Sequence, residues 1–256
     1  MKRYRWLLGC CLFLSIGMLW AADEPDLRML QQKAAQSRDM EGYVGVCKYL
    51  YQTEENPELL LLYADSIHQL ATKSKKPEQL VEYYIWASEG NFIKGDFQQG
   101  YALKRKAIAL AEKAGLKFAI SQSCCDMGYY CNVDARYDSA RYYFRKGLEA
   151  GEDLSEAGEA CRTMLTNYAS SFLFEGKTDS ALVYTIRASE RSAADKDTAM
   201  LIENLNQLGT IYRRKKDLEN CIANFEQALH LCELRGNHNA VAFIYGNIAT
   251  AYCDWN

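Results

Sequence analysis

The segment LNQLGTIYRRKKDLENCIANFEQAL, residues 205–229, contains two apolar stripes, each with the three- and four-residue spacing of an α-helix. Charged residues separate the two stripes, so the segment predicts a helical hairpin. Gly209 lies within the first helix, where glycine costs about 1 kcal/mol relative to alanine. A close contact would explain this glycine. We therefore expect Phe225 of the second helix to pack on Gly209, with Ala228 small enough to let the backbones approach.

The small residue of the first helix recurs along the chain. Gly128, Ala169, Gly209 and Ala249 are separated by 41, 40 and 40 residues. A fixed period in this range indicates a repeat architecture. Residues 23–40 are predicted to contain a capping helix. The repeat frame predicts five complete hairpins and a half repeat, at residues 41–80, 81–120, 121–161, 162–201, 202–241 and 242–256.

The hairpin at residues 202–241 carries the pattern of a known family. Its first helix has the large residues Leu205 and Leu208, the small residue Gly209 and then the aromatic residue Tyr212. Its second helix has the small residue Cys221, the aromatic residue Phe225 and the small residue Ala228. This pattern resembles the tetratricopeptide repeat. The resemblance implies an all-α fold, a right-handed superhelical solenoid of antiparallel helix pairs over residues 41–256, in which each pair covers its neighbour.

The period of this repeat departs from the usual one. Tetratricopeptide repeats commonly have 34 residues, whereas this frame advances by about 40. The long period resembles bacterial repeat proteins, in particular the periplasmic sensor regions of Bacteroidota regulators, more than the short co-chaperone type.

The start of the chain differs in composition from the rest. Lys2, Arg3 and Arg5 precede an uncharged run at residues 6–22, and acidic residues follow it directly. A basic start, an apolar middle and small residues at the end are the three parts of a secretory signal peptide. The alternative is a retained membrane anchor, but 17 residues are at the lower limit for a spanning helix. We therefore expect a signal peptide at residues 1–22 and an exported, periplasmic protein, with membrane anchoring as the alternative.

The charge balance argues against a nucleic acid partner. Removal of the signal peptide would take away three basic residues and make the net charge more negative than the −3 of the full chain. Nucleic acid binding requires a basic face that displaces counterions. The basic cluster at residues 213–216 is predicted to lie in the last turn of a helix, where cations offset the helix dipole. We expect no nucleic acid to bind this region.

The sequence also lacks the patterns of catalytic and metal sites. Two of the ten cysteines lie in the predicted signal peptide, and the others fall mainly at packing positions, where cysteine acts as a small hydrophobe. The neighbouring Cys124, Cys125 and Cys131 lack the second pair of ligands found in zinc sites. HExxH, GxSxG and phosphate-binding glycine motifs are absent from the sequence. We expect no enzyme activity, no cofactor and no metal, and an enzyme with an unrecognised site is a remote alternative.

The resemblance also implies a binding surface. In tetratricopeptide proteins the first helices line a concave groove, and thirteen positions beside the packing residues are expected to face it: Glu89, Phe92, Ile93, Tyr129, Asn132, Val133, Ser170, Leu173, Phe174, Asn206, Thr210, Arg213 and Arg214. The middle of this groove is expected to be polar. Its apolar edge has two interpretations, packing against the neighbouring turn or a seat for an amphipathic segment.

A protein or peptide segment in the groove is the partner that the resemblance implies. We expect a non-enzymatic binding module that forms the extracytoplasmic input region of a larger membrane-bound signalling or transcriptional regulator. A free-standing periplasmic scaffold or assembly protein is the alternative. Membrane contact is expected only through the N-terminal signal or through a C-terminal part beyond residue 256.

The half repeat at residues 242–256 predicts an uncovered surface. In a complete hairpin a second helix would cover Ile248, Ala249 and Tyr252. Solenoids normally finish with a polar capping helix, whereas this end is rich in apolar residues. We therefore expect the chain to be the front part of a longer protein, or this end to be covered by a partner or by self-association.

Overall fold

Helices make up nearly all of the chain that the structure describes. The computed structural model describes residues 27–54 and 56–255, and the predicted signal peptide lies outside them. These residues form twelve α-helices, a 3-10 helix at Ser155–Ala157 and no strands. The α-helices are α1 Leu27–Ser37, α2 Met40–Thr53, α3 Pro57–Ser74, α4 Pro77–Lys94, α5 Phe97–Ala114, α6 Lys117–Val133, α7 Tyr137–Gly151, α8 Gly158–Phe174, α9 Thr178–Ala194, α10 Thr198–Arg214, α11 Leu218–Leu234 and α12 His238–Trp255. None of the described helices is sufficiently long and apolar to traverse a membrane.

Successive helices form pairs, which confirms the predicted all-α fold. α1 lies within the residues predicted to contain a capping helix, and five pairs follow, from α2 with α3 to α10 with α11. Each pair begins one to four residues before the corresponding predicted hairpin. The two helices of the last pair each have 17 residues. Helices of this length in both positions account for a repeat of about 40 residues.

Short polar residues fix the starts of several helices. Asp96, Asp197 and Asp217 precede α5, α10 and α11, and each carboxylate accepts a hydrogen bond from the backbone amide three residues later. These bonds satisfy amides that have no partner within the helix. The end of α4 is also defined locally, because Gly95 adopts a left-handed conformation with a φ of 92°. Local sequence therefore sets the turns between the helices.

The chain divides into two compact units. The N-terminal unit consists of residues 27–127 and 149–157, and its core is built from α1 to α5 with the start of α6. Val46, Leu60 and Ile67 are completely buried in this core. Consecutive helices from α1 to α5 contact one another, and the first helices α2 and α4 also touch directly.

The C-terminal unit consists of residues 128–148 and 158–255. Consecutive helices from α8 to α12 contact one another, and α10 also touches α8 and α12. The core of this unit includes Phe225 and Ala228 of α11, both fully buried, and Ile244 of α12. The first helices therefore lie beside one another, with the second helices packed against them.

Close contacts between glycine and phenylalanine hold two of these pairs together. A Cβ atom on Gly209 would lie 2.6 Å from the ring of Phe225, and one on Gly128 would lie 2.3 Å from the ring of Phe144. Atoms that are not bonded cannot approach so closely without displacement, so the ring occupies the space that a side chain would need. The predicted packing of Phe225 on Gly209 is confirmed.

One side of α12 is solvent-exposed in the structure. Tyr245 and Tyr252 are 53% and 51% exposed, and a Cβ atom on Gly246 would meet no other atom within 4 Å. Ala249 is exposed as well. That a further chain segment, a partner or a second copy covers this side stays a prediction.

Candidate functional site

The first helices of the C-terminal unit form a continuous surface. α10 lies between α8 and α12 and contacts both. Along α10, Glu203, Asn206 and Thr210 are spaced by three and four residues, lie on one side of the helix and are half-buried. We call this surface the first-helix face and define it by Glu203, Asn206 and Thr210 of α10 and by Asn247 of α12; Ser170 of α8 lies buried beneath it.

Neutral side chains connect α8 to α10 beneath this face. Nε2 of Gln207 donates to Oγ of Ser170 over 2.6 Å, and Oε1 of Gln207 accepts from Oγ1 of Thr185 over 3.1 Å. Deeper in the unit, Oγ1 of Thr166 donates to Oδ1 of Asn204 over 2.9 Å. Satisfied polar networks of this kind hold their members in fixed orientations. The first-helix face therefore rests on a rigid hydrogen-bonded layer.

An amide pair connects α10 to α12 on the same face. Nδ2 of Asn247 donates to Oδ1 of Asn206 over 2.7 Å, and the Thr210 hydroxyl donates to the Asn206 carbonyl over 3.1 Å. Nδ2 of Asn206 and Oδ1 of Asn247 bond to no other described residue, and both side chains are half-buried. The amide pair thus leaves one hydrogen-bond donor and one acceptor on the surface.

The arginines near this face are already engaged. Nη1 of Arg213 lies 2.9 Å from the Asp254 carboxylate, and Nη1 of Arg214 donates to the Leu173 carbonyl over 2.7 Å. Lys215 pairs with Asp179. The basic cluster at residues 213–216 therefore connects neighbouring helices through these contacts.

Arg162 of α8 is also paired. Its guanidinium lies 3.1 Å from the Asp195 carboxylate and 2.8 Å from the Asp197 carboxylate. Both acids belong to the turn that leads into α10. Arg162 therefore fixes the start of α10 to α8.

Glu203 is an ionisable residue of the first-helix face that has no partner among the described residues. No hydrogen bond or ion pair joins its carboxyl to any described residue. Burial raises the pKa of Glu203 to about 8, and the negative charge of Asp197 adds to the effect. At neutral pH a large share of this carboxyl is therefore protonated.

The structure places the remaining predicted groove residues of α8 at different depths. Ser170 and Leu173 are buried, with 8% and 5% of their surface exposed, whereas Phe174 is 39% exposed. Leu173 packs with Ala181 and Ile211. Leu173 is therefore part of the packing between helices, and Phe174 is the member of this group that a partner could reach.

One of the three predicted residues near the end of α6 is buried, and the other two are half-buried. Asn132 is 3% exposed, and its Nδ2 donates to the Asn167 carbonyl of α8 over 3.0 Å. Tyr129 and Val133 are half-buried, and the Tyr129 ring packs edge-on against that of Tyr130 with 5.4 Å between centroids. Asn132 therefore connects α6 to α8.

In the N-terminal unit, the predicted residue Glu89 belongs to a buried ion cluster. Lys104 of α5 is completely buried and pairs with Glu89 of α4, which is 2% exposed. Nζ of Lys104 also lies 2.9 Å from the Asp126 carboxylate of α6. Burial acts to lower the pKa of Lys104, but attraction to the two carboxylates outweighs it, so the pKa lies above its ordinary value. Lys104 is therefore a buried cation that binds α5 to α4 and α6.

The other two predicted residues of α4 also contribute to packing. Phe92 is 1% exposed, and its ring fills the space beside Gly100, where a Cβ atom would lie 2.7 Å away. The ring also packs edge-on against Tyr101, with 5.2 Å between centroids. Ile93 is half-buried. Phe92 therefore packs within its own helix pair.

The polar partners of the predicted groove residues carry no recognised motif in the sequence. Lys104 bonds to Glu89, Gln207 to Ser170, and Asn247 to Asn206. The repeat frame does contain a signal for Lys104. Gly100 aligns with Cys221 of the later hairpin, and Lys104 follows Gly100 by four residues as Phe225 follows Cys221. A lysine therefore occupies a position that is aromatic in the later hairpin.

None of the eight cysteines in the described residues forms a disulfide, and seven of them are buried. Burial raises the pKa of the Cys47 thiol to about 12. A thiol with this pKa is protonated at neutral pH and is a poor nucleophile.

Comparisons with known proteins point to one type of repeat. A sequence profile for the tetratricopeptide repeat matches residues 200–256. No curated protein sequence matches the chain significantly. Among solved structures, the apo form of RapI matches with a TM-score of 0.71 and 10% sequence identity. The match covers 99% of this chain and 71% of the RapI chain.

Two further solved structures have the same fold. Aspartyl phosphate phosphatase F from Bacillus subtilis matches with a TM-score of 0.60 and 15% identity, over 98% of this chain and 68% of its own. PlcR from Bacillus thuringiensis, solved with the peptide PapR7 and DNA, matches with a TM-score of 0.55 and 14% identity, over 95% of this chain and 96% of its own. Residues 200–256 thus match the tetratricopeptide repeat and the helix pairs before them share its fold, which confirms the resemblance that the sequence carries.

Proposed function

We propose that the first-helix face of the C-terminal unit binds an extended polypeptide segment. The observation that carries this proposal is the Asn206 and Asn247 amide pair, which leaves one donor and one acceptor on the surface. Each residue of an extended chain presents its N–H and its C=O on the same side, so one residue can bond to both amides at once. Recognition of this kind uses the main chain and suits a polypeptide partner.

The surroundings of the amide pair support the same proposal. The network of Ser170, Gln207 and Thr185 holds the neighbouring helices in place, so little side-chain freedom would be lost on binding. One solved structure with a similar fold, PlcR, contains a bound peptide. The function proposed is that of a non-enzymatic binding module.

The expected length of the segment follows from the geometry. Packed helices lie about 8 to 10 Å apart, so three first helices span roughly 20 Å between their axes. An extended chain covers about 3.3 to 3.6 Å per residue. A segment of about six to ten residues would therefore reach from α8 to α12.

Removal of the Asn247 amide tests the proposed function. Asn247→Ala should weaken peptide binding about tenfold, because the Asn206 amide loses its partner and the ligand loses an acceptor. The probe is a library of random peptides of about eight residues, offered to the purified full chain and read by sequencing the retained peptides. Asn224→Ala is the matched control, since Asn224 lies on the second helix α11 and bonds within that helix. Equal peptide recovery for wild type and Asn247→Ala would refute the proposal, and so would the absence of any retained peptide.

We further propose that the protein is exported and acts as the extracytoplasmic input region of a membrane-bound signalling or transcriptional regulator. The basic start and the uncharged run of residues 6–22 support export. A binding module with no catalytic motif suits an input region, because ligand binding can bias a regulator without chemistry. The free-standing periplasmic scaffold is the alternative.

Export predicts a defined mature N-terminus. Protein isolated from its native host should begin near Ala22 or Asp23, because the small residues before this point suit a signal peptidase. N-terminal sequencing of the periplasmic and membrane fractions measures this directly. Intact Met1 in the cytoplasmic fraction would contradict export. Release of the native protein into the periplasm without detergent would favour the scaffold over the membrane-bound regulator.

A further inference from the structure

We infer that the polypeptide bound by the first-helix face carries a positively charged group that lies against Glu203. This inference rests on the proposed function and specifies the chemistry of its ligand. The shared chemistry is an ammonium or guanidinium group, supplied by a lysine or arginine side chain or by the amino terminus of the peptide.

Glu203 lies one helical turn before Asn206 on the same side of α10. α10 contacts α8 on one side and α12 on the other, so Glu203 lies on the central helix of the face. A peptide bonded to the Asn206 and Asn247 amides would therefore pass close to the Glu203 carboxyl.

The acids beside the start of α10 are already neutralised. Arg162 is paired with Asp195 and Asp197 in the turn before α10. Glu203 itself bonds to no described residue. The protein thus supplies cations for the neighbouring acids and none for this one.

The cations on the helices packed against α10 are engaged elsewhere. Besides Arg162, α8 carries Glu159 at its start, and α12 carries His238 at its start and Asp254 at its end. On α9, Arg191 bonds to Asp195 and Arg187 lies over the Tyr184 ring. The other charged residues and histidines of α9 and α11 are Asp179, Glu190, Glu219, Glu226, His230 and Glu233. Arg214, at the end of α10, is bonded to the Leu173 carbonyl. A positive charge beside Glu203 would therefore have to come from a ligand.

The electrostatics of a half-buried carboxyl favour such a ligand. Burial penalises the ionised form and raises the pKa of Glu203 to about 8. A cation placed beside it favours ionisation and is held more strongly than it would be in water, because the local dielectric is low. Binding near neutral pH should therefore release a proton from Glu203, and binding well above its pKa should not.

The test uses random peptides of about eight residues, presented in two forms, one with a free and one with an acetylated amino terminus. Wild-type protein should retain peptides enriched in lysine and arginine, and Glu203→Gln should lose that enrichment. Synthetic copies of the enriched peptides should bind Glu203→Gln about tenfold more weakly than wild type. Glu226→Gln is the matched control, because Glu226 is exposed on the second helix α11. Enrichment confined to free amino termini would identify the peptide terminus as the source of the charge.

Proton release supplies a second readout that a merely structural role of Glu203 would not produce. Calorimetry in buffers of different ionisation enthalpy should show proton release near neutral pH for wild type and none for Glu203→Gln. The inference is overturned if wild-type protein retains peptides without a basic preference, or if Glu203→Gln keeps that preference. In either case, peptide binding that still depends on Asn247 would leave the proposed function standing.

Discussion

Replacement of Lys104 by methionine should lower the free energy of unfolding by about 3 to 5 kcal/mol. The substitution keeps the length of the side chain but removes the positive charge between Glu89 and Asp126. Glu89 is 2% exposed and, as a buried carboxylate, would lose the cation that Lys104 supplies. Urea denaturation of the full chain, followed by circular dichroism, measures the loss.

Two further variants test the cause of this loss. Lys113→Met, at an exposed position of the same helix, should change stability by less than about 0.5 kcal/mol. Lys104→Met combined with Glu89→Leu should recover most of the loss, because an apolar pair of similar volume replaces the buried ion pair. The side chain of Asp126 is 23% exposed and can remain hydrated. If Lys104→Met is as stable as Lys113→Met, the ion cluster contributes little to the fold.

The helix pairs of the C-terminal unit could be predicted because their packing follows local spacing. Gly209 and Phe225 lie on adjacent helices of one hairpin, and a short turn leaves them few ways to meet. Their contact is a matter of size, since a ring can approach a helix only where the side chain is missing. Sequence patterns indicate residue size and spacing, so this contact could be predicted from the sequence alone.

The pair of α4 and α5 uses the opposite arrangement, which the repeat frame did not predict. Here the aromatic ring comes from Phe92 of the first helix and the glycine, Gly100, from the second. Lys104 occupies the position of the usual phenylalanine and directs its ammonium to Glu89 and Asp126. An apolar pocket would remain beside Gly100, and Phe92 fills it. Phe92 is therefore a packing residue, although its place in the frame put it in the groove.

The polar network of the first-helix face could not be predicted from the sequence, for a different reason. Asn206 and Asn247 are 41 residues apart, and their hydrogen bond depends on the side-chain orientations of two helices. Spacing placed Asn206 near a surface but could not identify its partner. Glu203 shows the same difficulty, because its lack of a partner depends on the pairing of Arg162 with Asp195 and Asp197.

Replacement of Gly209 by leucine should destabilise the protein by about 3 kcal/mol or more. Even the first carbon of the new side chain would lie 2.6 Å from the Phe225 ring, and Phe225 is completely buried and has no room to move away. The helices α10 and α11 would have to separate. Thermal unfolding of the full chain should show a large fall in the transition temperature.

A comparison of alanine at two glycines separates contact from helix propensity. Both Gly209 of α10 and Gly246 of α12 lie within first helices, but a Cβ atom on Gly246 would meet nothing within 4 Å. Gly246→Ala should therefore stabilise the protein by up to about 1 kcal/mol, because alanine favours the helix. Gly209→Ala gains the same propensity and loses more through the contact with Phe225, so it should destabilise by about 1 to 3 kcal/mol. Opposite signs identify Gly209 as a packing site, whereas equal stabilisation by both substitutions would show that the ring of Phe225 does not need the space.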